Sequence, residues 1–386
     1  MSFGDYLKYS ICFLALFSCQ YSGKKEKLSL WTDMYNVIWD QPSLNASESM
    51  PFGGGDICCN VWVESGDILL YMQKSGCFSE NGEYLKLGRV RLRLSPNPFI
   101  QYTKFEQCLK LKDGSILISA NKDNGESVCI KVWVDIFTQS IHFDMHSNKK
   151  IALEAFYENW RTEDKELTDK NRGRFGCFGL EGYPGKVIKK KDQIVFSENG
   201  ILFYHRNTGN TLSPDVMIEQ QKLSRYKDEI CNTISNLTFG GFIFGDNLVA
   251  GSITEGKYCN TDFKSWSLKS KKASNDYHFQ IATYKEQTAD VNQWISCLKE
   301  KAAVANNEKG NPERNTEWWR EFWNQSWIIT DPTRRDSACL WEVGRNYQLF
   351  RYQLGCNLYG EYPSKFNGGN LTFDPAYVDS RLEHDP

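Results

Sequence analysis

The chain has 386 residues, 40% hydrophobic and 24% charged, a composition that is ordinary for a globular protein of two or three domains. Its 46 basic and 48 acidic side chains leave a net charge of −2, which argues against nucleic acid or an anionic membrane surface as a partner. Aromatic residues make up 14% of the chain, a share that suits large β-sheets and also sugar-binding surfaces.

The first residues are predicted to be a targeting segment. A short apolar run, residues 11–17, follows Lys8 and is too short to span a bilayer. Ser18 and Cys19 follow the run, and the whole segment resembles a bacterial lipoprotein signal, in which that cysteine is lipidated. Residues 1–19 would then be the signal peptide and 20–29 a polar tether. The protein is expected to be an exported periplasmic or outer-membrane lipoprotein of a Gram-negative bacterium, with a lipid anchor as its only membrane contact. An ordinary signal peptide with an incidental cysteine is the alternative.

The 13 cysteines give no metal-binding pattern, because none is spaced as Cys-x-x-Cys. Most lie inside apolar runs, as Cys129 does, and are expected to behave as small buried hydrophobic residues. A disulfide is compatible with an envelope compartment, but the sequence does not pair the cysteines. No metal and no cofactor is expected.

Residues 30–287 are predicted to be strands. Residues 56–63 and 67–72 flank Glu64-Ser65-Gly66, which is a hairpin signal. Residues 89–94 alternate strictly between charged and apolar side chains. Further predicted strands are 105–111, 115–120, 128–136, 140–145, 151–160, 201–205, 239–244, 248–253 and 277–284. So many antiparallel strands favour a mainly β fold with two large facing sheets, a β-supersandwich.

Two features of this region have more than one interpretation. The glycine-rich stretch 169–191 lacks the residues of a phosphate loop and is either a surface excursion or the border of a cleft. His142, Asp144 and His146 alternate along one strand and therefore share a face. They could bind a metal ion, but an exposed polar strand face, with Phe143 and Met145 toward the core, gives the same pattern.

Helical periodicity begins at Asp290. An apolar stripe follows at spacings of three and four, formed by Val291, Trp294, Leu298, Ala302 and Ala305. Asn311 and Pro312 then suit the start of a second helix, in the linker 288–331. A third apolar stripe is formed by Leu340, Val343, Tyr347, Phe350 and Leu354, and Gly355, Gly360 and Pro363 would end that helix.

The segment 318–327 carries four of the 12 tryptophans of the chain. Trp319, Phe322 and Trp323 fall on one helical face, and Trp318 is four residues from Phe322. At roughly 25 cal/mol per Å², so much aromatic surface requires a large apolar partner. These rings could pack in the core, or one of them could also line a ligand cleft.

Several short motifs together resemble the six-hairpin glycosidases, in which a supersandwich precedes an (α/α)6 barrel. They are residues 35–40, 49–56, 60–63, 79–82, 87–90, 205–207, 318–327 and 362–369. The chain is similar to family 95 glycoside hydrolases and to a related group catalogued as domain of unknown function 5703. The resemblance implies hydrolysis of non-reducing-end sugars and an oligosaccharide or polysaccharide partner.

The resemblance also implies substrate-binding residues. Lys365, Phe366 and Asn367 match a family loop at the mouth of the barrel, and a structural turn is the alternative. His205, Arg206 and Asn207 match a triplet on the sandwich, where His205 would otherwise be a hydrogen-bonded structural histidine.

The chain departs from this family after Pro332. An (α/α)6 barrel has about twelve helices, and residues 332–386 provide one or two, so the barrel is expected to be incomplete. Glu361 and Asp374 are the nearby carboxylates, but nothing pairs them, and no catalytic residue is assigned. The chain alone is expected to be inactive; a non-catalytic carbohydrate-binding lipoprotein and a non-functional truncated product are the alternatives. Trp323 and Trp327 are expected to be less covered than such residues usually are, because part of their partner surface would lie in the barrel.

Overall fold

The computed structural model describes residues 31–172, 176–308, 311–326, 328–330 and 338–361, together with Asp374 and Tyr377. The strands are β1 Val37–Trp39, β2 Met50–Gly54, β3 Ile57–Glu64, β4 Asp67–Lys74, β5 Gly88–Ser95, β6 Lys104–Lys110, β7 Ser115–Asn121, β8 Ser127–Asp135, β9 Ser140–Asn159, β10 Lys165–Leu167, β11 Val187–Lys189, β12 Gln193–Ser197, β13 Gly200–Arg206, β14 Leu237–Gly245, β15 Leu248–Tyr258, β16 Thr261–Ser270 and β17 Ser274–Gln287. The α-helices are α1 Asp169–Arg172, α2 Leu212–Gln220, α3 Val291–Glu308, α4 Pro312–Gln325 and α5 Ala338–Gly355.

Fifteen of these strands form one antiparallel sheet that divides into two layers at β9. The first layer has the order β1-β6-β7-β8-β9-β17-β14-β13-β12, and the second runs β2-β3-β4-β5-β9-β16-β15. The 20-residue strand β9 belongs to both: its first part pairs with β8 and β17, and its last part with β5 and β16. Apolar side chains of both layers share one core. The predicted mainly β fold with two large antiparallel layers is therefore confirmed.

Local signals in the sequence correspond to the observed turns and faces. Ser65 and Gly66 have φ angles of 52° and 87°, the left-handed pair that a two-residue hairpin turn between β3 and β4 requires. In β5 the apolar residues Val90, Leu92 and Leu94 are all buried, as their alternation predicts. Most of the β15–β16 hairpin was not predicted, because β15 is largely exposed and rich in polar residues that hide its period.

The stretch 169–191 is not the plain surface excursion that its glycines suggest. It contains α1 and β11, and the side chains around Leu180 form a small apolar core of their own. The buried guanidinium of Arg172 donates hydrogen bonds to the carbonyl oxygens of Leu180, Tyr183 and Gly185. These charge-assisted bonds join α1 to the backbone of residues 180–185.

The helices follow the last strand directly. The stripe of α3 packs on β14 and β17, and Trp294, Leu298, Ala302 and Ala305 are buried as predicted. The side chain of Asn311 caps α4 by accepting a hydrogen bond from the amide of Arg314 at 2.8 Å.

None of the described helices is long and apolar enough to cross a membrane.

The prediction that Trp323 is poorly covered is wrong. Trp319 is 0% exposed and Trp323 5%, and Nε1 of Trp323 donates a hydrogen bond to the carbonyl oxygen of Leu111 at 2.6 Å. The first β-layer and α5 provide the apolar partner that this face requires. Trp318 is half-buried and stacks on Phe322 with 5.6 Å between ring centroids. Trp327 lies outside the described residues.

Helix α5 packs through a face that its apolar stripe does not predict. Leu340, Val343, Phe350 and Leu354 are between 46% and 59% exposed. The buried face instead carries the glycines Gly344 and Gly355, which let the helix approach closely. A Cβ atom at Gly344 would lie 2.5 Å from Oη of Tyr35, and one at Gly355 would lie 2.8 Å from Cζ3 of Trp319. Close backbone approach therefore decides how this helix packs.

The cysteines of the described residues are all free thiols. Six of them are buried and behave as small hydrophobic residues, namely Cys58, Cys59, Cys77, Cys108, Cys177 and Cys356. Cys129 is exposed, so the expectation that its apolar surroundings in sequence bury it is wrong. Its strand β8 turns alternate side chains outward, and Cys129 lies on the outer face.

Candidate functional site

Segments that carry the sequence motifs meet at one end of the sandwich. Oδ1 of Asp56, in the turn between β2 and β3, accepts a hydrogen bond from the amide of Glu361 at 3.1 Å. Nδ2 of Asn357 donates to Oγ of Ser75 at 2.9 Å, and the amide of Ser75 donates to the carbonyl oxygen of Asp56 at 2.9 Å. The glycine-rich motif 53–56 therefore fixes the start of the segment that follows α5, although the two are 305 residues apart.

Two lysines balance the carboxylates at this end. Nζ of Lys74 lies 3.9 Å from Oδ2 of Asp56, and both side chains are buried. Burial lowers the pKa of Lys74 to about 8, against the opposing effect of Asp56. Lys285 pairs with the carboxylate of Glu361, whose side chain is 66% exposed. Asp56 thus binds the backbone amide of Glu361 and the side chain of Lys74, whereas the carboxylate of Glu361 reaches solvent.

His205 lies beside this end, between two carboxylates. Its Nδ1 is 2.8 Å from Oδ1 of Asp192, and its Nε2 is 2.9 Å from Oε2 of Glu80. Burial disfavours the charged ring, but the hydrogen bonds to Asp192 and Glu80 raise the pKa of His205 to about 9. Both ring nitrogens are engaged and the residue is buried, so the geometry supports the structural alternative rather than sugar binding.

Arg161 and Asn159 complete this buried cluster. The guanidinium of Arg161 donates to both carboxylate oxygens of Asp192, at 3.1 Å from Oδ1 and 2.6 Å from Oδ2. Nδ2 of Asn159 donates to the same carboxylate at 2.7 Å. Burial alone would raise the pKa of Asp192, but Arg161 and His205 hold it well below its usual range.

The His205 pKa predicts a pH dependence of stability. A pKa raised from about 6.5 in the unfolded chain gives a contribution that is complete below pH ~6.5 and is lost as the pH rises through about 9. We expect His205→Gln to remove about 3 kcal/mol of the decline in unfolding free energy between pH 6 and pH 10. Urea unfolding at both pH values measures it, with His146→Gln, on an exposed histidine, as the control. An unchanged pH dependence in His205→Gln would contradict the assignment.

The remaining predicted site residues bind neighbouring segments or lie outside the described residues. Arg206 is half-buried and donates to Oγ1 of Thr238 at 2.8 Å and to the carbonyl oxygen of Ala289 at 2.6 Å. Asn207 is 0% exposed, and its Nδ2 donates to two backbone carbonyls. Both residues therefore join strands to neighbouring segments. Lys365, Phe366, Asn367 and Cys19 lie outside the described residues.

Glu361 and Asp374 have separate partners. Oδ2 of Asp374 accepts a hydrogen bond from the hydroxyl of Tyr71 at 2.5 Å, and Nη1 of Arg89 donates to the same hydroxyl at 2.9 Å. Asp374 is 2% exposed, and burial raises its pKa. Asp374 is therefore bound to Tyr71 on the second layer, whereas the backbone of Glu361 is bound to Asp56.

One exposed and one half-buried aromatic ring border the converging segments. Nε1 of Trp318 donates to the hydroxyl of Tyr359 at 3.1 Å, and Tyr359 is 54% exposed. Tyr359 is two residues from Glu361 in the chain, so an exposed ring and an exposed carboxylate belong to one short segment. Apolar ring faces beside polar groups are suited to sugars, which present both kinds of surface.

The motifs were predictable from the sequence, but most of the side chains that contact them were not. Glu80 lies within the quoted motif 79–82, but Asp192 and Lys74 belong to no motif. A possible signal for Asp56 was its place directly after three glycines, since a buried carboxylate there can bind distant backbone. Among the described residues, no group of three or more His, Cys, Asp or Glu side chains is arranged to hold a metal ion.

The fold and the site define a class of protein, a two-layer β-supersandwich followed by helices. The last of these helices and the residues after it bind polar groups at one end of the sandwich. More narrowly, the chain belongs to the family described as domain of unknown function DUF5703, whose N-terminal domain matches residues 38–328. A search of curated proteins finds no match.

Two solved structures are similar to this chain. One, described as a kojibiose phosphorylase from the human microbiome, has 10% identity and a TM-score of 0.40, with 84% of this chain and 39% of that chain covered. The other is a bacterial glucoamylase in complex with acarbose, with 8% identity and a TM-score of 0.38, with 83% and 43% covered. The chain spans about two fifths of the length of these structures.

Proposed function

We propose that this protein is a glycosidase-like protein of carbohydrate metabolism. In its intact form it would hydrolyse a glycosidic bond at the non-reducing end of an oligosaccharide or polysaccharide, in the manner of family 95 glycoside hydrolases. The convergence of Asp56, Asn357 and Glu361 beside the exposed ring of Tyr359 carries the proposal. It fixes Glu361 against the sandwich, and the residues that match the family's sugar-contacting loop follow in the sequence.

The same geometry supports binding rather than catalysis by this chain alone. Glycoside hydrolysis needs two carboxyl groups across the scissile bond, with one free to donate a proton. Glu361 is exposed, but Asp56 is buried and bound to a lysine and an amide. We therefore propose residues 30–287 and 288–331 as sandwich and linker, and 332–386 as the start of a helical domain that supplies the acid and base elsewhere. Export as a lipoprotein, with Cys19 lipidated, is part of the same proposal.

A sugar-binding experiment tests the proposal. Isothermal titration with fucosylated and galactosylated oligosaccharides should show saturable binding that is at least tenfold weaker in Tyr359→Ala, because the variant removes an exposed ring. Tyr226→Ala is the matched control, since this tyrosine is 38% exposed in the 3-10 helix Ser224–Glu229. Absence of binding, or equal binding by both variants, would count against the site.

The second candidate is a non-catalytic carbohydrate-binding lipoprotein, which the exposed ring of Tyr359 also favours. A test of activity separates it from the first. Aryl fucosides and galactosides should not be turned over by the 386-residue chain. Turnover that a point change within it abolishes would refute the predicted inactivity. Hydrolysis by the protein isolated intact from its own cells supports the glycosidase, and binding without hydrolysis there supports the second candidate.

A further inference from the structure

Three buried polar atoms on one face of β9 and β17 have no hydrogen-bond partner among the described residues. They are Nδ1 of His142, Nε2 of His278 and Oε1 of Gln280. In the register of the two strands, Gln280 lies opposite His142 and His278 lies opposite Asp144, which places all four side chains on the same face. His142 is 0% exposed and Gln280 1%. Buried polar atoms without partners cost free energy, so this arrangement is suited to a bound group.

The other nitrogen of each imidazole is held by a polar neighbour. Nδ1 of His278 lies 2.5 Å from Oδ1 of Asp144, and the second oxygen of that carboxylate accepts from Nε1 of Trp133 at 2.8 Å. Nε2 of His142 lies 2.7 Å from Oγ of Ser140. A carboxylate or hydroxyl that accepts one ring N–H leaves a lone pair on the other nitrogen, which is how proteins orient histidines toward a metal.

The spacing and the donor types fit one ion. The ring centroids of His142 and His278 are 5.4 Å apart. With metal–nitrogen bonds of about 2 Å, two imidazoles on one ion have centroids about 5–6 Å apart. Two neutral imidazoles and an amide oxygen suit zinc, copper or nickel rather than magnesium or calcium. His278 and Asp144 form the side of this group nearer to solvent, with side chains that are 12% and 44% exposed.

We propose that His142, His278 and Gln280 bind one divalent transition-metal ion on the outer face of the first β-layer. Asp144 is a positioning residue for His278, and water completes the coordination. The ion links β9 to β17 across neighbouring strands, so its role is structural and independent of the proposed sugar site.

Metal titration of the full chain tests this proposal. Zn²⁺, followed by competition with a chromophoric chelator, should bind with one-to-one saturation and raise Tm. His278→Gln and His142→Gln should each weaken binding at least tenfold, and Asp144→Asn about tenfold. His146→Gln is the matched control: His146 is on the same face of β9, is largely exposed and pairs with Asp276, so binding should be unchanged. Co²⁺ should give a spectrum typical of nitrogen and oxygen ligands, without thiolate charge-transfer bands.

Three results would overturn the proposal. The first is no saturable binding while circular dichroism shows a folded chain, which would mean that water satisfies these atoms. The second is binding that both His142→Gln and His278→Gln retain. The third is a thiolate spectrum with Co²⁺, which would place the ion on the free cysteines.

Discussion

Replacing Asp192 by alanine is expected to lower the free energy of unfolding by about 3–5 kcal/mol. The carboxylate accepts hydrogen bonds from Arg161, His205 and Asn159, and its side chain is 3% exposed. Its removal leaves a guanidinium and an imidazolium buried without their shared counter-charge. Since the pKa of Asp192 is depressed, its contribution is present above pH ~4 and is lost as the pH falls toward the folded-state pKa.

Urea unfolding at pH 6 measures this effect where both His205 and Asp192 are charged. Asp164→Ala is the matched control, because Asp164 forms a 2.7 Å ion pair with Lys190 and its side chain is 44% exposed. An exposed pair of this kind contributes about 0–1 kcal/mol. A loss in Asp192→Ala no larger than that in Asp164→Ala would contradict the buried cluster.

Replacing Trp319 by alanine is expected to cost about 3–5 kcal/mol of unfolding free energy. The ring is 0% exposed and stacks on Tyr352 of α5 with 5.3 Å between centroids. It also fills the space above Gly114, where a Cβ atom would lie 2.2 Å from the indole. The ring thus joins α4, the β6–β7 turn and α5, and none of the three can collapse easily into the cavity.

Two further variants make this prediction specific. Trp318→Ala, on the half-buried neighbour, should cost less than half as much as Trp319→Ala. Gly114→Ala should also destabilise, because its φ of +63° and the Trp319 ring both exclude a side chain. Equal losses for Trp318→Ala and Trp319→Ala would show that the ring is not the joint between these elements.

Local periodicity predicted the elements that pack through an apolar face. Trp294 and Leu298 of α3 and Val90 and Leu92 of β5 are buried because a period of 3.6 or 2 places them on one side. The same method was wrong for α5, where the apolar stripe is exposed. Periodicity identifies which residues are apolar, but the surface available to cover them depends on distant parts of the chain.

The candidate site was predictable in its motifs and not in its contacts. The stretches 53–56, 79–82 and 205–207 were identified by resemblance, and the structure places them at one end of the sandwich. Their partners could not be predicted, since His205 contacts Glu80 across 125 residues and Asp56 contacts Glu361 across 305. Such bonds join one side chain to another or to backbone and leave no repeating pattern.

Because β9 belongs to both layers of the sheet, its pairing is completed late in synthesis of the protein. Its first part needs β17, and its last part needs β16, so the strand is an open edge until residues 261–287 have left the ribosome. More than a hundred residues are made in that interval, and an unpaired strand can join another chain. His142, Asp144 and His146 place polar side chains on the outer face of this edge. We expect polar side chains on this strand to disfavour its pairing with another unfinished chain.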